Sequence, residues 1–155
     1  MSKVSLNSWY EIDEREYVMY TLRGYELDVA ESRVIWNLDN KLHREDGPAV
    51  TYRDGTQEWY LNDRRHREDG PAYIGADGTQ VWFLNGQRHR EGGPAIIEAD
   101  GTRVWYLNGQ RHREDGPAYI KADGTKQWYL NGKQMTEHEW RHHVDKMNDI
   151  SLVPN

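Results

Sequence analysis

The chain has 155 residues, 36% hydrophobic and 30% charged, with a formal net charge of −6 and no cysteine. That length suits one domain, and the acidic balance argues against general attraction to a nucleic-acid backbone or an anionic membrane. The missing thiols exclude a disulfide framework and a thiolate metal site. No cofactor and no metal is expected.

The first 35 residues follow no period and read as an irregular N-terminal β cap, residues 1–35, with candidate strands in "SWYEI", "YVMYTL" and "ESRVIW". Four basic residues stand against seven acidic ones there, so half of the net charge sits in this cap. The N-terminal stretch lacks the apolar core of a secretory signal. No run approaches the roughly 18 apolar residues of a membrane span, so a cytoplasmic location is expected.

Residues 36–135 are periodic. Trp36, Trp59, Trp82, Trp105 and Trp128 lie 23 residues apart, and Leu38, His43, Gly47-Pro48-Ala49 and Asp54-Gly55-Thr56 recur in the same register. Repeats therefore start at 36, 59, 82 and 105, with a partial one at 128. Each carries an Asp-Gly signal before the Trp strand and, in the later copies, Asn-Gly behind it, both of which favour tight type I′ hairpins. The expected architecture is all-β: an elongated, twisted antiparallel β-meander of stacked hairpins, with two strands per repeat. Five units would span ~50 Å at ordinary strand spacing. The Gly-Pro step should break or bend the return strand, because proline donates no ladder hydrogen bond.

In "TRVWYL", alternation puts Trp and Leu on one face, Val and Tyr on the other. Leu accompanies Trp in all five copies, so the Trp-Leu face is expected to be the covered one. Tyr60, Phe83, Tyr106 and Tyr129 then form the face available for contact.

This order of aromatic strand, turn, basic residue with His, Gly, short strand and "DG" resembles the MORN repeats, over roughly Val34 to Met135. MORN repeats typically run His-Gly-x-Gly after the turn where this chain has "HREDGPA", which marks a divergent form associated with proteins of large bacteriophages. The resemblance implies a stacked-hairpin sheet serving as a scaffold or protein-binding surface, with lipid binding proposed for some members and no catalytic unit. A bacteriophage origin would imply an inhibitor of a host or anti-phage defence protein, acting in the host cytoplasm.

The motif "HRED", at His43-Arg44-Glu45-Asp46, His66-Arg67-Glu68-Asp69 and His112-Arg113-Glu114-Asp115, is reduced to His89-Arg90-Glu91-Gly92 in the third repeat. As a metal site it offers too few converging ligands, since equivalent residues of neighbouring repeats sit ~10 Å apart. As a catalytic site it lacks the single asymmetric constellation that chemistry requires. Its expected role is mortar: Arg paired with nearby acids, His bonded to a turn carbonyl, and Asp fixing the bend before Gly-Pro.

The last segment, residues 136–155, reads as a capping helix and tail. Thr136 and Glu139 form a capping-box pattern, and Trp140, Val144 and Met147 share a helical face that can cover the last strand. "HEWRH" imitates the HExxH outline of zinc proteases through His138, Glu139 and His142. Only 13 residues remain to supply a third ligand, so a solvated capping helix is the expected reading.

The sequence thus points to a non-catalytic protein-binding module. Its candidate binding residues are Tyr60, Phe83, Tyr106 and Tyr129 with Arg67, Arg90 and Arg113 and with His66, His89 and His112. The alternative is a binder or sponge for a nucleotide or phosphorylated head group, since Arg and His meet phosphate and Tyr stacks on a base. The sequence does not specify an oligomeric state.

Overall fold

The structure, a computed structural model, describes residues 2–151, with side chains through Met147. Four β-strands and one helix build the N-terminal cap: β1 (Lys3–Ser5), β2 (Glu11–Asp13), α1 (Glu14–Leu22), β3 (Tyr25–Val29) and β4 (Arg33–Leu38). The expected strand at "YVMYTL" is helical instead. Asp13 accepts from the amides of Arg15 and Glu16, and Glu14 and Glu16 lie at the positive end of the helix dipole. Local capping overrides the β preference of Tyr17 and Val18 there.

Beyond the cap, the main sheet is an open antiparallel meander of 12 strands that begins at β3 and ends at Lys133–Met135. Its repeating strands flank the Asp-Gly turns, as in Tyr73–Ile74 paired with Gln80–Val81. In the three middle copies the strands around the Asn turn form separate two-stranded hairpins, such as Phe83–Leu84 with Gln87–Arg88, whereas Lys126–Leu130 and Lys133–Met135 stay within the main sheet. Each repeat therefore holds short strands in two zones rather than two long ones, because the HREDGP bend interrupts every return strand. Single backbone bonds carry the connection between zones, from Trp82 N to Ala95 O (2.8 Å) and from Arg90 N to Tyr106 O (3.1 Å).

The two turns differ. At Asn85 and Gly86 both φ angles are positive, 50° and 82°, as a type I′ hairpin requires. Asn62-Asp63 and Asp39-Asn40 adopt the same left-handed pair without glycine, which Asn and Asp tolerate best among ordinary residues. The Asp-Gly turn is not the expected two-residue one. Gly75 N bonds Thr79 O across Ala76-Asp77-Gly78, and only Gly78 of these has positive φ. The Asp77 carboxylate accepts from Thr79 N at 2.9 Å, so the side chain closes the loop one residue later.

The densest core lies at the cap. Ile12, Tyr20, Tyr25 and Trp36 pack as one buried cluster, with the Tyr20 and Trp36 rings 4.8 Å apart. Further along, the sheet buries a ladder of small residues, Ala49, Ala72, Ala95 and Ala118, each fully inaccessible, together with scattered larger ones such as Val50, Phe83, Val104 and Tyr129. At the far end, α2 (Glu137–Ser151) closes the array. The Thr136–Glu139 capping box forms in both directions, and Trp140 Nε1 donates to Arg113 O at 2.9 Å. Trp140 and Val144 are half-buried, whereas Met147 is exposed. The tail from 152 onwards lies outside the described residues. Among the described residues, no helix is long and apolar enough to cross a membrane.

Candidate functional site

The conserved spacing of HREDGPA along the chain resolves into a set of inter-repeat joints. In all four copies the His Nδ1 accepts the backbone N–H of the Asn in the next turn: Asn62, Asn85, Asn108 and Asn131 donate at 3.1–3.2 Å. The backbone partner is thus a turn amide rather than a backbone carbonyl, it belongs to the following repeat, and the side-chain Oδ1 of Asn62, Asn85 and Asn108 also approaches the ring Nδ1 of His43, His66 and His89 at 3.0–3.1 Å. In His112, Nε2 faces Glu114 at 3.3 Å.

The arginine of each copy lies over the Trp ring of its own repeat. Arg44, Arg67, Arg90 and Arg113 stand 4.7, 4.2, 3.8 and 4.0 Å from the ring centroids of Trp36, Trp59, Trp82 and Trp105. Arg67 and Arg113 donate to Asp69 and Asp115 at 2.8 and 2.6 Å, which holds both carboxyls below the usual carboxylate range. Gly70, Gly93 and Gly116 let the guanidinium lie close against the backbone. A Cβ there would meet the guanidinium carbon at 3.0–3.1 Å. Each guanidinium is therefore held between a Trp ring and a bare backbone.

This geometry divides the ten candidate binding residues. Arg67, Arg90 and Arg113 belong to the Trp face, while Tyr60, Phe83, Tyr106 and Tyr129 line the other. His66, His89 and His112 are committed to the joints. The Tyr-Phe face is not left bare, as expected, but is covered about as well as the Trp face: Phe83 and Tyr129 are buried and Tyr60 and Tyr106 half-buried, while Trp36 is buried and Trp59, Trp82, Trp105 and Trp128 are half-buried. The reason is a second arginine row, Arg65, Arg88 and Arg111, which sequence reading left out of the candidate set. Arg65 lies 5.6 Å from the centroids of both Tyr60 and Phe83, Arg88 lies 5.5 Å from Tyr106, and Arg111 lies 5.2 Å from Tyr129. Their stems and planes cover the aromatic rings.

The rungs of this face differ in polarity. Around Arg65, the buried Glu58 carboxylate accepts from Arg65 Nη2 at 3.0 Å and from the Tyr60 hydroxyl at 2.6 Å. Burial first, and then the Glu58 carboxylate, push the Tyr60 phenol up to about 12. A folded-state value above the unfolded one of about 10 means stability present below pH 10 and lost as pH rises towards 12. Thermal melts across that window should show a decline that Tyr60→Phe reduces. An identical alkaline profile for the variant would remove this phenol from the account.

Between the Arg65 and Arg88 rungs the face opens into a cleft of about 520 Å³. Val81, Phe83 and Ile96 make its floor, with Arg65 and Arg88 at the Asn-Gly end and Asp77, Glu98 and Asp100 at the Asp-Gly end. Amide donors of Thr79 and Thr102, followed by their hydroxyls, keep Asp77 and Asp100 below the usual carboxylate range. Comparison with protein-family models, curated proteins and solved structures finds no match.

A shallow, two-ended groove with an apolar floor can bury an apolar side chain and pair charges of both signs. In α2, Glu139 is engaged by Thr136, and His138 and His142 are exposed. Among the described residues, no group of three or more His, Cys, Asp or Glu could hold a metal ion. The signal for the cleft was present in the repeat register, where Glu58 is replaced by Val81 and Val104 and where Phe83 interrupts a row of tyrosines.

Proposed function

We propose that this chain is a non-catalytic, MORN-like protein-binding module whose contact surface is the Tyr-Arg face, centred on the cleft between Arg65 and Arg88. The observation that carries this reading is the composition of that face: aromatic rings interleaved with Arg over an apolar floor, the residue types enriched at interface hot spots. The HRED motifs are spent on joints, which leaves this face as the one whose side chains vary from rung to rung. Acidic groups at one end of the cleft favour a protein segment over a free nucleotide or phosphorylated head group, which would meet Asp77, Glu98 and Asp100. A bacteriophage protein of this kind would serve as an inhibitor of a host or defence protein.

The test is affinity capture from bacterial lysate with mass spectrometry, run beside a Tyr106→Ala/Arg88→Ala double variant. A partner retained by the wild type should bind the double variant more weakly by about 2 kcal/mol or more, while the fold persists because Arg88 is exposed and Tyr106 only half-buried. Equal retention by both proteins would move the contact surface elsewhere, the caps first.

A further inference from the structure

Arg65, Arg88 and Arg111 occupy equivalent places, yet the protein supplies acceptors to only two of them. Arg65 donates to Glu58, and Arg111 donates to the hydroxyls of Tyr106 (3.3 Å) and Tyr129 (3.1 Å). Among the described residues, the Arg88 side chain has no hydrogen bond or ion pair, only the rings of Phe83 and Tyr106. Sequence differences between repeats account for this. Val81 and Val104 stand where Glu58 offers a carboxylate, and Phe83 lacks the hydroxyl of Tyr60. The acceptors are missing on the rung beside the cleft.

We infer that Arg88 anchors a carboxylate side chain of a partner polypeptide lying along the cleft, with an apolar residue over Val81 and Ile96 and a basic residue at the Asp77–Asp100 rim. This rests on the protein-binding reading above and specifies its chemistry. Charge complementarity sets the direction of the segment. The free guanidinium lies on the Asn-Gly hairpin, the acidic rim lies in the Asp-Gly turns, and residues 79–84, through the strands Gln80–Val81 and Phe83–Leu84, join the two ends. A guanidinium lying over two rings can donate two parallel hydrogen bonds in its plane to a carboxylate. A phosphate-rich ligand long enough to fill the cleft would place negative charge against the rim.

The chain contains its own competitor design. Val81→Glu recreates next to Arg88 the arrangement that Glu58 makes with Arg65, so it should occupy the guanidinium from within. Arg88→Gln removes the charge at an exposed position without disturbing the fold. A randomised peptide library is panned against the wild-type protein, and enriched peptides are resynthesised and titrated against all three proteins, with inorganic pyrophosphate as competitor. Enriched sequences should share an acidic residue separated by an apolar one from a basic residue, and both variants should weaken binding about tenfold or more. Peptides that bind all three proteins equally would overturn the role of Arg88 while leaving the protein-binding reading standing. Displacement of the peptides by pyrophosphate at comparable concentration would reassign the site to phosphate. No enrichment at all would overturn both readings.

Discussion

Trp36→Ala should destabilise the protein by about 3–5 kcal/mol, the cost of opening a large cavity in a packed core. Trp36 is 1% exposed, packs on Tyr20 and Tyr25, and carries Arg44 on its face. Arg44 in turn reaches Glu16 of α1, so the ring sits at the junction between cap and array. Trp82→Ala and Trp105→Ala remove the same side chain from half-buried positions beneath an arginine. Those variants should cost roughly 1–3 kcal/mol, because less apolar area leaves water on folding there and the freed arginine can hydrate. Urea unfolding of the three variants tests the difference. Equal losses at all three positions would mean that burial at the cap does not set the order.

His89→Ala is expected to cost about 1–3 kcal/mol, since the Asn108 amide loses its acceptor inside the joint. His89→Asn should recover a large part, because the Asn Oδ1 can take the place of Nδ1. His89→Gln should recover less, because its oxygen lies farther out. The effect should also spread unevenly. Stacked repeats touch only their neighbours, so weakening one joint reduces the coupling between the halves on either side. Hydrogen exchange would show this as faster exchange at the Asn108-Gly109 turn while the amides of β3 and β4 keep their protection. A uniform loss across the chain would instead indicate an undivided cooperative unit.

The 23-residue period made the repeat sheet legible from sequence, because identical residues at identical spacing must meet identical surroundings in a stacked array. The Asn-Gly hairpins were legible for a backbone reason, the need for two successive left-handed residues. The same reasoning misjudged the Asp-Gly turn, where the Asp77 side chain rather than the backbone preference decides loop length. It also missed α1, where a single N-cap acceptor outweighs a run of β-prone residues. In the candidate site, alternation correctly separated the Trp row from the Tyr row. It could not say which arginines join which row, because the bend after each His changes the side to which the next residue points.

By itself, then, the sequence determined the number of repeats, their antiparallel order, the type I′ turns and the helical C-terminal cap, all of which follow from local spacing and backbone preference. Only the tertiary structure decided what the repeated polar residues do. His89 reaches an amide 19 residues away, Arg90 stacks on a ring eight positions earlier, and Arg88 stands beside a cleft on a rung that, unlike its neighbours, supplies its guanidinium no acceptor. Hydrogen bonds and cation–ring contacts between repeats depend on how adjacent hairpins are offset and bent, and that offset is a property of the stack rather than of any one copy.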